Sequence, residues 1–219
     1  MEEINFLAAY QKATKRNYVQ RVVEHDKADS AVIAKQWGFD YWDGDRRYGY
    51  GGYSYDGRWA PIARDIVRHY GLKPGDRVLD VGCGKAFLLH EIAQAVPGVE
   101  VAGLDVSEYG LAHAKEEVRD KLRLGNASEL PWPDQSFDLV ISLNTFHNLR
   151  VPDLKRAVQE MERVGRRKWL CVESYRTERE KMNLLYWQLT CASFFDTEEW
   201  AWLFKEWGYS GDYGFIFFE

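Results

Sequence analysis

The chain has 219 residues, of which 46% are apolar and 29% charged, and its formal net charge is −5. This apolar content supports one large domain with its own core, and the acidic balance argues against a protein whose main partner is nucleic acid. Three cysteines without a C-x-x-C spacing favour a reducing compartment over a disulfide framework or a zinc site.

The ends and apolar runs of the sequence indicate where the protein works. No apolar run approaches the length of a membrane span, and the N-terminus begins with acidic residues rather than a secretory leader. We therefore expect a cytoplasmic protein with no membrane partner and no nucleic-acid partner.

The first quarter of the sequence predicts a helical cap. Residues 3–37 carry apolar side chains at helical spacing, whereas residues 38–57 are dense in glycine, aspartate and tyrosine and predict an irregular segment. A further helix is predicted over residues 60–70, with Pro61 in its first turn. We expect one globular unit in which residues 1–60 form a cap and lid and residues 61–219 form the main domain.

From residue 77 onwards, short apolar runs alternate with helical patterns. Strands are predicted at 77–82, 99–105, 122–125, 137–144, 168–174 and 215–219. Helices are predicted at 85–96, 107–120, 153–165, 179–192 and 196–209. This alternation is typical of an α/β fold with a doubly wound, mostly parallel sheet, here of six or seven strands. Ligands bind such sheets beyond the carboxyl ends of the strands.

The first predicted strand ends in a glycine-containing loop, "LDVGCGKAF" (79–87). A dinucleotide fingerprint would need a third glycine at position 87, and a P-loop would need serine or threonine at position 86, so neither nucleotide motif is present. Asp80 lies two residues before the first glycine, where a carboxylate would repel a pyrophosphate but attract an ammonium group. The second strand ends in Asp105, which can accept both hydroxyls of a ribose. Together they favour a ligand with a ribose and a cationic group, such as S-adenosylmethionine.

These segments resemble the class I S-adenosylmethionine-dependent methyltransferases of the small-molecule type. "VLDVGCGKAFLL" is similar to their first motif, "VAGLDVSEYGLAHAK" to their ribose-binding segment, and "LGNASELPWPDQSFDLVISLNTFHNL" to their adenine-binding loop and fourth strand. The resemblance implies S-adenosylmethionine as cofactor, with Asp80 facing its amino group, Asp105 its ribose and Val106 its adenine. It implies further cofactor contacts at Gly82, Cys83, Gly84, Asn126, Ala127 and Asn144.

Two positions depart from the family pattern. Ala86 stands where the motif has its third glycine, and Asn126 stands where an acid is usual. We expect a tighter floor under the cofactor from the first change. From the second we expect weaker adenine binding, because an amide oxygen still accepts a hydrogen bond.

Candidate catalytic residues follow the fourth and fifth strands. His147 can take a proton near neutral pH, or can cap the next helix and shape the pocket. Glu173 can accept a proton or orient an amine, and Tyr55 of the lid is a third candidate. An amine or alcohol acceptor needs a base, whereas a carboxylate acceptor needs none, so nitrogen and oxygen methylation both stay open.

The lid stretch "RRYGYGGYSYDGRW" (46–59) combines glycines with aromatic residues and arginines. Aromatic faces attract cations, and arginine pairs with anionic groups. We expect the acceptor to be bound by Tyr53, Arg58 and Trp59, together with Tyr175 and Arg176 after the fifth strand. The arginines favour a small polar, anionic acceptor, for example a sugar, a nucleotide-linked compound or a glycan precursor.

Several alternatives remain at this stage. A non-catalytic protein that binds S-adenosylmethionine and regulates a partner would have the same motifs but no turnover. A protein or RNA methyltransferase would need a long or basic groove across the strand ends, which the acidic average disfavours. No metal-ligand spacing is present, and monomer and homodimer are both open.

Overall fold

The computed structural model describes residues 1–8 and 16–219. Its centre is a six-stranded sheet in the order β3-β2-β1-β4-β5-β6, in which every pair of neighbours is parallel. The strands are β1 (Arg77–Val81), β2 (Glu100–Asp105), β3 (Leu122–Leu124), β4 (Phe137–Leu143), β5 (Gly165–Glu173) and β6 (Asp212–Ile216). The predicted doubly wound α/β fold is confirmed, with six strands and no antiparallel one among them.

Helices cover both faces of the sheet because both faces are apolar. The described helices are α1 (Tyr18–Val23), α2 (Lys27–Ala34), α3 (Phe39–Trp42), α4 (Ala60–Tyr70), α5 (Phe87–Ala95), α6 (Glu108–Ala112), α7 (Glu116–Arg119), α8 (Val151–Val164), α9 (Glu178–Trp187) and α10 (Thr197–Glu206), with a 3₁₀ turn at Phe146–Asn148. Along β5, Trp169 and Cys171 face a core with α4 and α5, whereas Leu170 and Val172 face a core with α8 and α10. This alternation is what a strand buried on both faces requires.

The helix predicted over residues 3–37 is wrong as one continuous element. Glu3 instead pairs with Tyr213 beside β6 and extends that edge of the sheet. A new helix begins at residue 27 because the Asp26 carboxylate accepts hydrogen bonds from the N–H groups of Ala28 and Asp29, which makes Asp26 an N-cap. Residues 9–15 of the predicted helix lie outside the described residues.

Other boundaries moved without changing the fold. The helix predicted over 107–120 begins at the expected N-cap, Ser107, but is divided into α6 and α7. The last strand lies at Asp212–Ile216 rather than at 215–219, and α9 ends at Trp187 rather than at residue 192. In the described part of the chain no helix has the length and apolarity to cross a bilayer.

Candidate cofactor and acceptor site

Three neighbouring strands, β1, β4 and β5, lead to buried acceptor oxygens with no hydrogen-bond partner among the described residues. The atoms are Asp80 Oδ1, Asn144 Oδ1 and Glu173 Oε2. The last of these lies 3.3 Å from His147 Nε2, but outside hydrogen-bond geometry. A buried polar atom without a partner costs roughly 1–3 kcal/mol, so three along one sheet edge are unusual for a purely structural arrangement. The carboxyl end of the sheet therefore fits a ligand that supplies hydrogen-bond donors or positive charge.

Asp80 carries the carboxyl group of β1, and the pKa of this group is strongly shifted. Its side chain lies near the carboxyl end of the strand, with 4% of the residue exposed. Burial, together with the nearby carboxylate of Asp105, raises the pKa of Asp80 to about 8. A cation beside this carboxyl would stabilise its ionised form, which is what the ammonium group of S-adenosylmethionine offers.

Asp105 is held in place by two backbone groups at the end of β2. Its Oδ2 accepts a hydrogen bond from the N–H of Gly84 at 2.7 Å, and its Oδ1 accepts one from the N–H of Ser107 at 2.8 Å. Burial raises the pKa of Asp105, and these backbone hydrogen bonds oppose the rise. Each oxygen keeps a second lone pair, so the carboxylate can still accept from two ribose hydroxyls.

An open pocket of about 460 Å³ lies beside Asp105. Val106 forms part of its wall with 52% of the residue exposed. The pocket is lined by strand-end residues on one side and by cap residues on the other: Val106, Glu108, Tyr109, Leu124 and Gly125, with Gln36, Trp37 and Gly38. The apolar wall of this pocket suits a flat ring such as adenine, which the family resemblance assigns to Val106.

The two residues predicted to meet the adenine edge differ in their surroundings. Asn126 is exposed, and its Oδ1 accepts hydrogen bonds from the N–H and the hydroxyl of Ser128, both at 3.0 Å. Ala127 is buried in the core under this loop. The amide of Asn126 is therefore fixed by its own turn.

The glycines of the first motif make room for protein side chains. A Cβ on Gly84 would lie 2.5 Å from the ring of Trp42, and a Cβ on Gly82 would lie 2.1 Å from Thr145 Oγ1. Both glycines also have positive φ values, 84° at Gly82 and 53° at Gly84. Between them, Cys83 is partly buried, and desolvation together with the nearby carboxylates of Asp105 and Asp80 raises the pKa of its thiol and keeps it protonated.

An ion pair between a buried lysine and a half-buried aspartate, which the sequence analysis missed, joins the cap to this loop. Lys85 Nζ donates to both carboxylate oxygens of Asp43 at 2.7 Å and to the carbonyl of Tyr53 at 2.8 Å. Trp42 Nε1 donates to Ser107 Oγ at 2.8 Å and thereby reaches the end of β2 as well. The cap residues that contact the cofactor loop are thus those of α3 and its flank. A lysine directly after Gly84 was the available clue, because a buried ammonium needs an acidic partner.

The structure brings His147 and Glu173 together, as predicted from the strand ends. His147 Nδ1 accepts the backbone N–H of Glu173 at 3.3 Å, and its Nε2 lies 3.3 Å from Glu173 Oε2. Gln188 Nε2 donates to the other carboxylate oxygen. Burial lowers the pKa of His147 to about 3 and raises that of Glu173 to about 8. At neutral pH His147 is an uncharged residue that orients Glu173.

The structure does not bring the other predicted substrate residues to this pair. The Tyr55 hydroxyl donates to Glu91 Oε1 at 2.6 Å on α5, and Tyr53 accepts from Trp59 Nε1 at 3.0 Å while its ring stacks on Phe87. The remaining three have partners elsewhere: Arg58 pairs with Asp56, Arg176 with Glu180 and Glu219, and Tyr175 packs with Leu184 and Phe218.

Comparison with known proteins agrees with this geometry. Residues 78–168 match a family described as a methyltransferase domain. A demethylmenaquinone methyltransferase of Symbiobacterium thermophilum is 35% identical over 130 residues, which cover 54% of this chain and 50% of that protein. The sterol 24-C-methyltransferase ERG6B of Gibberella zeae is 34% identical over 143 residues, which cover 59% of this chain and 37% of that protein. The chain thus spans half or less of the length of these curated relatives.

The fold has relatives among solved structures too. The YcgJ protein of Bacillus subtilis superposes with a TM-score of 0.54 at 22% identity, over 66% of this chain and 67% of that one. Over residues 78–168 the chain is similar to methyltransferase domains, and its fold is that of the class I S-adenosylmethionine-dependent methyltransferases. The methyl donor of this family is S-adenosylmethionine, and the unpartnered oxygens and the pocket at Val106 fit that molecule.

Proposed function

We propose that the protein is a methyltransferase that transfers the methyl group of S-adenosylmethionine to a small acceptor bound next to Glu173. The observation that carries the proposal is the row of unpartnered buried oxygens at Asp80, Asn144 and Glu173. When bound, S-adenosylmethionine supplies an electrophilic methyl group on a positively charged sulfur.

The cofactor half of the site is assigned to β1 and β2. Asp80 binds the ammonium group of the methionine part, Asp105 binds the ribose hydroxyls and Val106 contacts the adenine. Asn144 has a φ of 58°, unusual for a residue other than glycine, and its amide oxygen has no hydrogen-bond partner among the described residues. We assign this amide to the methionine part as well.

The acceptor half is assigned to β4 and β5. Glu173 is the proton acceptor, because its pKa of about 8 suits a general base near neutral pH. His147, with a pKa of about 3, does not take the proton, but its Nδ1 accepts the backbone N–H of Glu173 and so positions that residue. This assignment replaces the predicted role of His147 as a base.

An amine fits this site better than a hydroxyl. Glu173 is 3% exposed, so ionising it without a cation nearby is costly. An ammonium group beside Oε2 offsets that cost, and its proton then passes to the carboxylate before the nitrogen attacks. A neutral hydroxyl would supply a hydrogen bond but no charge.

Residues 1–60 are proposed to act as the cap of this site. Support comes from the bonds of Lys85 to Asp43 and Tyr53, and from the Trp42 ring beside Gly84. These contacts hold the cap against the cofactor loop and exclude water from the reaction.

The proposal is tested with S-adenosylmethionine that carries a deuterated methyl group. The protein is incubated with it and a deproteinised extract of polar metabolites, and mass spectrometry follows the label. We expect a labelled product and an equal amount of S-adenosylhomocysteine. Glu173→Gln, which removes the base but keeps the shape of the side chain, should lower turnover by about 10²–10⁴-fold.

Binding measurements separate the possible reasons for failure. S-adenosylhomocysteine should bind to Glu173→Gln about as tightly as to the wild type, because Glu173 belongs to the acceptor half. A protein that binds the cofactor but labels no metabolite would contradict the proposed function and favour a non-catalytic cofactor-binding protein.

A further inference from the structure

Three guanidinium groups lie over a single indole ring at the end of α9. The Cζ atoms of Arg16, Arg21 and Arg46 are 5.4, 4.5 and 5.1 Å from the ring centroid of Trp187. Lys27 lies beside them, because its ammonium donates to the carbonyl of Leu185 on the same helix. We call Arg16, Arg21, Lys27 and Arg46 the basic cluster.

The basic cluster adjoins the proposed acceptor site. The residue after Trp187 is Gln188, whose side chain donates to Glu173 Oε1. Burial raises the pKa of Glu173, and the positive charge of Arg16 opposes part of that rise. The charge of the cluster is therefore felt at the proposed base.

Three of the four positive charges of the basic cluster, those of Arg16, Arg21 and Lys27, are not balanced by the described carboxylates. None of Arg16, Arg21 and Lys27 is within 4.0 Å of a carboxylate oxygen of the described residues. The seven residues at 9–15, which lie outside that part, include no aspartate or glutamate. Burial and the charge of Arg46 lower the pKa of Arg21 to about 10, and burial and Arg21 lower the pKa of Lys27.

Attachment of the cap explains only part of this arrangement. Arg21 Nε donates to the Trp187 carbonyl at 2.8 Å, and Arg46 donates to the carbonyls of Gly49 and Tyr50 at 2.8 and 2.7 Å. These hydrogen bonds explain Arg21 and Arg46 as residues that attach the cap. They do not account for Arg16, whose Nε is buried without a partner among the described residues.

A balanced arginine in the same protein shows the difference. Arg77 lies over the ring of Phe137, with its Cζ 5.0 Å from the centroid, and its Nε is 3.5 Å from Glu100 Oε2. That stacked guanidinium has an acidic partner, whereas the cluster at Trp187 gathers several cations around one ring. Like charges this close repel each other, so the arrangement favours a bound anion.

We propose that the basic cluster binds an anionic group of the acceptor, a carboxylate or a phosphate, and thereby places the acceptor's nucleophile at Glu173. Guanidinium groups suit both anions because their N–H groups are arranged as a planar fork. This role was predicted for Arg58 and Arg176, but those two pair with acidic side chains. The link to an acceptor rests on the proposed function, whereas the anion site itself does not.

The experiment is a calorimetric titration with inorganic phosphate and, separately, with acetate, at low chloride concentration. We expect one of the two to bind saturably at a single site, with affinity that falls as sodium chloride is added. Preference for phosphate assigns a phosphorylated acceptor, and preference for acetate assigns a carboxylate.

Arg16→Gln is the main variant, because the Nε of Arg16 makes no hydrogen bond to the described residues. The variant also loses the contacts of the guanidinium with the rings of Trp187 and Phe218, so circular dichroism is used to check that it is folded. We expect it to weaken anion binding at least about tenfold, while Arg16→Lys keeps most of the affinity. Arg77→Gln, which removes a stacked arginine at the other end of the sheet, is the matched control and should bind like the wild type.

Two outcomes would overturn the anion site: no saturable binding of either anion, or equal affinities in Arg16→Gln and Arg77→Gln. S-adenosylhomocysteine binding to the same samples is measured separately. If S-adenosylhomocysteine does not bind, the proposed function is contradicted and the anion site is unaffected. If it binds normally but neither anion binds, the anion site is contradicted and the proposed function is unaffected.

Discussion

Without ligand, the variant Asp80→Asn should become more stable relative to the wild-type protein as the pH rises. The pKa of Asp80 is about 8 in the folded state, against 3.8 in the absence of burial. Between pH 4 and pH 8 the folded state therefore binds one more proton at this site than the unfolded state does. Stability falls with rising pH wherever the folded state binds more protons, so Asp80 destabilises the fold across this window and asparagine does not.

The size of the effect follows from how steeply the free energy of unfolding changes with pH. One proton of difference changes the free energy of unfolding by ~1.4 kcal/mol per pH unit. Between pH 6.0 and 7.5 the stability of Asp80→Asn relative to wild type should therefore increase by about 2 kcal/mol. The change with pH is the useful quantity, because the loss of shape complementarity or of a hydrogen bond shifts the difference by the same amount at every pH.

The assay is urea denaturation, followed by circular dichroism at pH 6.0, 6.5, 7.0 and 7.5. Asn144→Ala is the control, since Asn144 lies at the same sheet edge and does not titrate; its difference from wild type should stay constant with pH. A constant difference for Asp80→Asn would refute the reasoning, because it would mean that Asp80 is ionised in the folded protein throughout this range.

Three further substitutions test the joint between the cap and the cofactor loop. Lys85→Met leaves the half-buried carboxylate of Asp43 without its cation and should lower the free energy of unfolding by about 1–3 kcal/mol in chemical denaturation. Ala86→Gly should leave stability unchanged or raise it by up to about 1 kcal/mol in the same assay, because Ala86 has a φ of 54°; a loss above 1 kcal/mol would contradict this. Gly84→Ala should cost at least about 2 kcal/mol more than Gly75→Ala, since both have positive φ but only the former brings a Cβ against Trp42; equal costs would show that Trp42 can move away.

The sheet was predictable because each strand is a short apolar run that stays buried on both faces. The ends of those strands were predictable for the same reason, which is why the sequence alone locates Asp80, Asp105 and Glu173 at strand ends. The pKa values of these side chains were not predictable, because a pKa depends on burial by residues that are far away in the sequence. His147 illustrates this point: it follows β4 as predicted, but its burial lowers its pKa to about 3 and makes it too weak a base to take the proton near neutral pH.

Contacts between the cap and the sheet could not be read from the sequence. Lys85 and Asp43 are 42 residues apart, and no local pattern links them. The basic cluster joins residues 16, 21 and 46 to Trp187, near the other end of the chain. The arginines in the lid therefore indicated an anionic acceptor. Which arginines bind that acceptor depends on which of them pair with acidic side chains in the fold, and the sequence does not show this.

The assignment of Asp80 to the ammonium group of the cofactor is tested most directly by titration calorimetry with S-adenosylhomocysteine at pH 7, in two buffers of different ionisation enthalpy. Wild-type protein should bind one molecule and release about one proton, because the ammonium group ionises a carboxyl whose pKa is about 8. Asp80→Asn should bind at least about tenfold more weakly and without that proton release. No binding by the wild-type protein, or equal affinity and proton release in both proteins, would contradict the assignment.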